Sequence, residues 1–214
     1  MARKYDGLIF DVDGTLWDSR FKVAEVWTEI LRKEYKPDAL VTGEQLKYEF
    51  GLPLSEIGKH IMPDLSDQAM LPILKELEEC ENRKLKVDPP EPYAGLEQVL
   101  KALRDEYPMY IVSNCQEGYI ETFLAATGLG TYFQGHLCPG DTGLFKADNI
   151  RQICRRYGLK KAVYIGDIEK DHIAAKEAGV DFCHAAYGFG EAVDPTFTIR
   201  DIRELPDALK KQIE

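Results

Sequence analysis

Short apolar runs alternate with segments of helical periodicity from about residue 95 onward. Such alternation is typical of βαβ units, which build a parallel sheet. A similar apolar run lies near the start of the chain, and we predict that it joins the same sheet. The predicted strands are 5–10, 109–113, 136–138, 162–166 and 181–185, and the predicted helices between the later strands lie near 117–127, 147–157 and 169–178.

The region between the first two strands has a different pattern. The pattern predicts helices throughout residues 18–85. Apolar positions in 23–35 recur at helical spacing. Thr42 is followed by Gln45 as in a capping box, and Ser66 precedes another helical stretch. A proline-rich break follows at 87–95.

We therefore predict a doubly wound, Rossmann-like α/β fold whose parallel sheet is interrupted by an all-helical insert. The predicted core domain comprises residues 1–17 and 86–214, and the insert comprises 18–85.

Composition limits the classes of partner. The chain has 214 residues, a formal net charge of −10 and a pI near 5.0, so its field repels nucleic-acid phosphates and anionic lipids. No apolar run approaches the ~20 residues of a membrane-spanning helix, and acidic residues interrupt the N-terminal apolar patch before a secretory signal could form. We expect a cytoplasmic protein, monomeric or homodimeric, without a nucleic-acid or membrane partner.

Cysteine usage agrees with a reducing compartment. The five cysteines include no C-x-x-C pair, and their odd number leaves one unmatched in any disulfide scheme. Cys115 follows a predicted strand and could act as a nucleophile, but no histidine lies near it in sequence, so a packing role is favoured.

Polar residues follow three of the predicted strands. Ligands of open α/β sheets bind outside the carboxyl ends of the strands, near the point where the strand order reverses. We expect the residues at these ends to meet there, together with a lysine just before a helix. They are Asp11 and Asp13 at the end of the first strand, Ser113 and Asn114 at the end of the second, Asp167 and Asp171 at the end of strand 162–166, and Lys146.

The pair Asp11 and Asp13 requires an explanation. Residues i and i+2 of an extended chain point to the same side, and two facing carboxylates repel each other unless a cation lies between them or one is protonated. The alternative hypothesis is that both are ordinary turn residues next to Gly14. It does not explain the acids at the other strand ends.

Four motifs resemble those of the haloacid dehalogenase superfamily in their order and spacing. They are DVDGTL (11–16), SN (113–114), Lys146 and GDIEKD (166–171), and the helical insert resembles the superfamily's small cap. FGLPL (50–54) and AKEAGV (175–180) are most similar to the phosphoglycolate-phosphatase-like branch. Two positions depart from the common pattern: Ala147 stands where proline is usual, and Ile168 where Thr or Ser is frequent.

The resemblance implies a Mg²⁺-dependent phosphatase that acts on a small phosphorylated metabolite, such as 2-phosphoglycolate or a sugar phosphate. Asp11 would be the nucleophile, forming an aspartyl-phosphate, and Asp13 the general acid and base. The implied metal residues are Asp11, Asp13 through its backbone carbonyl, Asp167 and, directly or through water, Asp171. Ser113, the Asn114 backbone and Lys146 would hold the phosphoryl group.

Two alternatives remain open at this level. A hexose-phosphate mutase would use the same core, and a phospho-acceptor or interaction module would use similar strand-end acids without needing Asp13 or the insert. The contacts that set specificity are expected in the cap, where Arg20, Lys47, Gly51 and His60 are candidates by location alone.

Overall fold

A computed structural model describes residues 3–212, and within that range a six-stranded parallel sheet forms the centre of the fold. The strands are β1 (Gly7–Phe10), β2 (Met109–Val112), β3 (Gly135–Leu137), β4 (Ala162–Gly166), β5 (Asp181–Ala185) and β6 (Phe197–Ile199). Their spatial order is β3-β2-β1-β4-β5-β6. The strands β2 and β3 therefore lie on one side of β1, and β4, β5 and β6 lie on its other side.

β1 is fully buried because the sheet is covered on both faces. Ile9 lies opposite Tyr110 of β2 and Tyr164 of β4, so both neighbours are in register with the central strand. Leu8 and Phe10 belong to one hydrophobic cluster and Ile9 to the other, as the two-residue period of a strand requires. This explains the continuous apolar run, which is typical of a doubly covered parallel sheet.

Helices form the two covering layers and the insert. They are α1 (Arg20–Glu34), α2 (Gly43–Glu49), α3 (Leu54–Ile61), α4 (Asp67–Val87), α5 (Leu96–Leu103), α6 (Tyr119–Thr127), α7 (Pro139–Thr142), α8 (Lys146–Tyr157), α9 (Glu169–Ala178) and α10 (Leu205–Lys211). Apolar residues of α8 and α9 share a cluster with Ile9, whereas those of α5 and α10 share the cluster of Leu8 and Phe10.

The insert between β1 and β2 is helical, as predicted. α1 packs against α4, and α4 also contacts α6 of the core. The hydroxyl of Thr42 accepts a hydrogen bond from Gln45 N at the start of α2, and that of Ser66 accepts one from Ala69 N at the start of α4. The predicted fold class, a doubly wound parallel sheet with a helical insert, is confirmed.

Several boundaries and elements differ from the prediction. The first strand begins at Gly7 rather than residue 5, and β3 lies one residue earlier than predicted. β6, α5, α7 and α10 were not predicted. β6 has only three residues at the sheet edge, too few for a periodic signal. α5 does carry buried apolar residues at helical spacing, and it begins directly after Gly95 at the end of the proline-rich break.

No helix within residues 3–212 has the length and apolar character needed to cross a bilayer.

Candidate active site

Three carboxylates meet at the carboxyl edge of the sheet. Asp11 follows β1, Asp167 follows the neighbouring strand β4, and Asp171 lies in the first turn of α9. One oxygen from each lies within 4.8 Å of the others, and all three side chains are buried. The adjacency of β1 and β4 brings the first two together, because parallel strands end at the same edge.

Lys146 supplies a positive charge to this cluster. It is the first residue of α8, and its Nζ lies 2.6 Å from Asp171 Oδ1 and 3.2 Å from Asp11 Oδ1. Burial lowers the pKa of Lys146, but the two carboxylates raise it by more, so the pKa ends above its usual value and the lysine stays charged. Ala147, where proline was expected, does not prevent this placement.

Both carboxylate oxygens of Asp171 accept hydrogen bonds, from three donors in all. Its Oδ2 accepts hydrogen bonds from the backbone amides of Asp167 and Ile168 at 3.0 and 3.3 Å, which caps the start of α9. Its Oδ1 accepts from Lys146 at 2.6 Å. Asp171 therefore links the amino ends of α8 and α9.

Glycines create the space for Asp167. A Cβ at Gly14, where φ is +78°, would lie 2.0 Å from Asp167 Oδ2, and a Cβ at Gly188 would lie 2.4 Å from Asp167 Cβ. The amide of Phe189 donates a hydrogen bond to Asp167 Oδ2 at 2.7 Å. Residues 188–189 thus fix this carboxylate, and sequence reasoning missed them because they lie in a loop far from the four motifs.

Asp13 is held by hydrogen bonds that all reach one oxygen. Trp17 Nε1, Ser19 Oγ and Tyr119 Oη donate to Asp13 Oδ1 at 3.1, 2.6 and 2.8 Å. Among the described residues no side chain bonds to Oδ2. Burial raises the pKa of Asp13 to about 7, although the bonds from Ser19 and Tyr119 favour ionisation. The group can therefore hold or release a proton near neutral pH.

The cluster has an excess of negative charge. Burial raises the pKa of Asp11 to about 6, with Lys146 opposing the rise and Asp171 adding to it. Burial raises the pKa of Asp167 well above its ordinary value, and the neighbouring carboxylates raise it further. These shifts arise first from burial, and the like charges of neighbouring carboxylates, opposed by one ammonium, add to it.

The donor set fits a divalent cation. Asp11 Oδ1 is buried, and its 3.2 Å contact with the Lys146 ammonium is an ion pair without hydrogen-bond alignment. Together with Asp167 and Asp171 it offers hard carboxylate oxygens, the ligands that Mg²⁺ prefers. A cation here would favour the ionised carboxylates and lower their pKa values.

The second strand contributes Ser113 and Asn114. Ser113 is buried and lines the same cavity as Asp11 and Lys146. The side chain of Asn114 turns toward the insert, and its Nδ2 donates to the Gly51 carbonyl at 3.1 Å. All seven predicted site residues except Asp171 line one cavity, and Asp171 lies behind Lys146.

That cavity has a volume of about 680 Å³ and lies between the core and the helical insert. The insert side is lined by Trp27, Phe50, Gly51, Leu52, Pro53, Leu54, Glu56, Ile57, Glu78 and Glu81. The core side includes Asp11, Asp13, Ser113, Asn114, Cys115, Gln116, Tyr119, Lys146, Asp167, Ile168, Lys170 and Phe189. A small molecule bound there would contact both.

Of the insert residues chosen by location, only Gly51 lines the cavity. The guanidinium of Arg20 pairs with Asp18 and lies over the Phe189 ring, and His60 Nδ1 lies 2.7 Å from a carboxylate oxygen of Glu49. Sequence reasoning instead missed Glu81 and Gln116, whose side chains meet across the boundary between insert and core. No local signal marks either residue.

Cys115 lines the cavity but is unsuited to nucleophilic attack. Burial, followed by the neighbouring Cys138, raises the pKa of the Cys115 thiol well above its ordinary value. The reactive thiolate is therefore disfavoured, which agrees with a packing role.

Known proteins resemble the chain in sequence and in fold. It is 27% identical over 189 residues to fructose-1-phosphate phosphatase YqaB of Escherichia coli, a match that covers 85% of this chain and 96% of that protein. The crystal structure of a predicted phosphoglycolate phosphatase from Haemophilus somnus superposes with a TM-score of 0.86 at 18% identity, covering 97% and 99% of the two chains. The structure of the haloacid dehalogenase-like family protein SP0104 from Streptococcus pneumoniae superposes with a TM-score of 0.83 at 21% identity. The match covers 96% of this chain and 98% of that chain.

The family match spans most of the chain. Residues 8–185 match the family described as haloacid dehalogenase-like hydrolase, a range that contains all four motifs and the helical insert. The resemblance drawn from the motifs is thereby confirmed, and the chain belongs to the haloacid dehalogenase-like hydrolases.

Proposed function

We propose that this hydrolase is a phosphatase that uses Mg²⁺ to hydrolyse a small phosphate monoester through an aspartyl-phosphate on Asp11. One observation carries the proposal: Asp11, Lys146 and Asp167 occupy one buried cluster on the wall of a cavity large enough for a phosphorylated metabolite. A nucleophile, a fixed cation and a place for a metal are the parts that phosphoryl transfer needs.

The reaction would proceed in two steps. An Asp11 oxygen bonds to phosphorus while the ester P–O bond breaks, and Asp13 gives its proton to the departing alcohol oxygen. Asp13 then takes a proton from a water that attacks the same phosphorus. The bond between phosphorus and the Asp11 oxygen breaks, which releases phosphate and restores the Asp11 carboxylate. The pKa of Asp13, raised to about 7 by burial, supports both directions of proton transfer.

Other residues would bind the transferring group. Lys146, Ser113 and the Asn114 amide lie at the carboxyl edge of the sheet, where they can donate to phosphoryl oxygens. The side chain of Asn114 is engaged with Gly51, which leaves its backbone amide for this role.

We propose that Asp11, the Asp13 carbonyl and Asp167 would hold Mg²⁺, which supplies positive charge toward the phosphoryl oxygens when bound. Both oxygens of Asp171 already accept hydrogen bonds, which supports a contribution through water rather than a direct one.

The domain division is also proposed. Residues 1–17 and 86–214 would form the catalytic core and 18–85 a cap that encloses the substrate. α1 to α4 agree with this division, although α4 extends to Val87. A cytoplasmic location, a monomer or homodimer, and the lack of a nucleic-acid or membrane partner are proposed from sequence and charge alone.

The test is turnover of an aryl phosphate and of a panel of small phosphate esters by the purified protein with Mg²⁺. We expect release of many phosphates per enzyme, loss of this activity in Asp11→Asn, and its retention in Asp38→Asn, a matched change at an exposed position. Isomerisation of a hexose phosphate without phosphate release would indicate the mutase. One stable phosphoryl group per chain without turnover would indicate the phospho-acceptor module.

A further inference from the structure

Glu81 is a buried carboxylate on the insert side of the cavity. It lies on α4 and is only 5% exposed. Trp27 Nε1 donates to its Oε2 at 2.7 Å from α1, and Gln116 Nε2 donates to its Oε1 at 3.0 Å from the core. The carboxylate is therefore fixed from both sides of the cavity, and each oxygen serves as an acceptor.

The neighbouring wall lacks positive charge. Among the described residues that line the cavity, the charged groups of the insert are Glu56, Glu78 and Glu81, while both lysines, Lys146 and Lys170, come from the core. Glu81 has no ion pair among the described residues. An ionised carboxylate has about four acceptor positions, and Trp27 and Gln116 occupy only two.

The lack of a positively charged partner affects the pKa of Glu81. Burial raises the pKa of Glu81 to about 8, and the hydrogen bonds from Gln116 and Trp27 only partly oppose this. Above this pKa Glu81 is ionised. A donor on a bound molecule would favour that form, whereas a bound carboxylate would oppose it, because it would meet Glu81 and Glu78 as like charges.

Glu81 also lies near the proposed proton donor. Its carboxylate and that of Asp13 act electrostatically on each other, and both act on Tyr119, whose hydroxyl bonds to Asp13. The cavity is continuous from Asp13 to Glu81. The alcohol portion of a substrate, which departs beside Asp13, would extend toward Glu81.

We infer that Glu81 determines specificity by accepting hydrogen bonds from the alcohol portion of the substrate. The substrate class is then phosphate monoesters whose alcohol carries hydroxyl or amine donors, and esters that carry a carboxylate are disfavoured. The inference rests on the proposed phosphatase function and narrows its substrate class. It predicts that sugar- or polyol-type phosphates are better substrates than 2-phosphoglycolate.

The experiment compares kcat/KM above pH 8, where the Glu81 carboxyl is ionised, for four substrates: glycerol phosphate with hydroxyl donors, phosphoethanolamine with an amine, 2-phosphoglycolate with a carboxylate, and p-nitrophenyl phosphate with none of these. We expect the better of the two donor-bearing esters to exceed 2-phosphoglycolate by about tenfold or more, the size expected for one hydrogen bond to a charged group. Which of the two is better identifies the donor.

Glu81→Gln gives the second measurement. It removes the charge while retaining similar volume, so we expect the ratio of donor-bearing to carboxylate substrate to fall by about tenfold, mainly through KM. Glu79→Gln, an exposed position on the same helix, should leave the ratio unchanged.

The outcomes separate the two proposals. If 2-phosphoglycolate is hydrolysed as well as the donor-bearing esters by the wild-type protein, the inference fails and the phosphatase stands. An unchanged ratio in soluble Glu81→Gln protein would also overturn it. Failure to hydrolyse any of the four, p-nitrophenyl phosphate included, would overturn both.

Discussion

The ammonium of Lys146 lies 2.6 Å from the carboxylate of Asp171, and neither side chain is more than 4% exposed. The same ammonium reaches Asp11 at 3.2 Å. This buried pair joins the start of α8 to the start of α9 and directs the only lysine of the cluster, among the described residues, toward the proposed nucleophile. It therefore has consequences for both stability and catalysis.

Lys146→Ala is expected to lower kcat by about 10²–10³, because the proposed cation for the transition state is lost. It should also lower the free energy of unfolding by about 3–5 kcal/mol, since Asp171 would be left buried without its partner. Steady-state kinetics and urea unfolding measure the two effects, and Lys160→Ala is the exposed control. A nearly normal kcat would remove Lys146 from the active site.

Removal of metal is expected to abolish turnover. Asp11 and Asp167 are the proposed carboxylate ligands, and the proposed chemistry needs the positive charge of the metal, so EDTA should eliminate activity and Mg²⁺ should restore it. Ca²⁺, whose coordination is longer and less regular, should restore it poorly. Binding of Mg²⁺ by calorimetry, weakened in Asp167→Asn, provides a readout independent of turnover. Full activity in EDTA would exclude a metal from the mechanism.

Asp11 and Asp13 are expected to fail in different ways. Asp11→Asn removes the attacking oxygen, so no phosphoenzyme forms. With an aryl phosphate, whose leaving group needs little protonation, Asp13→Asn still allows attack but slows hydrolysis of the intermediate by about 10²–10⁴-fold. Intact-mass spectrometry should detect a phosphate adduct on Asp13→Asn alone. An adduct that maps to Cys115 or Ser113 would show that the nucleophile is misassigned.

Gly188→Ala is expected to raise the Mg²⁺ concentration needed for half-maximal activity. The added Cβ would lie 2.3 Å from the Gly14 carbonyl and 2.4 Å from Asp167 Cβ, so the metal-side carboxylate must shift. Gly130→Ala is the matched control, because its Cβ would meet only Leu124 Cβ at 3.9 Å. Equal Mg²⁺ requirements in the two variants would contradict the proposed role of this close contact.

Stability is expected to fall as pH rises because of Glu81. Burial raises the pKa of Glu81 from 4.5 to about 8. A carboxyl group with a raised folded pKa stabilises the protein fully below its unfolded pKa, and this contribution is lost as pH rises through the folded value, here between about pH 5 and 8.

Thermal unfolding at a series of pH values in EDTA measures this dependence. The melting temperature of Glu81→Gln should decline less than that of the wild type over this range, and Glu79→Gln should follow the wild type. Parallel curves for all three proteins would show that Glu81 does not titrate as its burial predicts.

Much of the fold could be predicted from sequence because its signals are local. β4 and β5 lie where their apolar runs predicted, and α9 occupies the predicted residues 169–178. β6 escaped prediction because three residues at a sheet edge carry no periodic pattern. The helical insert was recognisable because a continuous helical pattern interrupts the alternation of strands and helices.

The candidate site also has a part that could be predicted from sequence and a part that could not. Sequence by itself determined which residues stand at the carboxyl ends of β1, β2 and β4, and the geometry of a parallel sheet requires those ends to share one edge. Asp11, Ser113 and Asp167 follow from this rule alone.

Only the tertiary structure decided how these residues are held and what surrounds them. Tyr119 bonds to Asp13 from 106 positions away, and Gln116 meets Glu81 across the boundary between core and insert. Gly188 approaches Asp167 from a separate loop. Such contacts depend on how finished elements pack, and no periodicity within one segment encodes them. The charge of the cavity wall results from the packing of separate elements. The substrate class inferred for this hydrolase therefore depends on the tertiary structure.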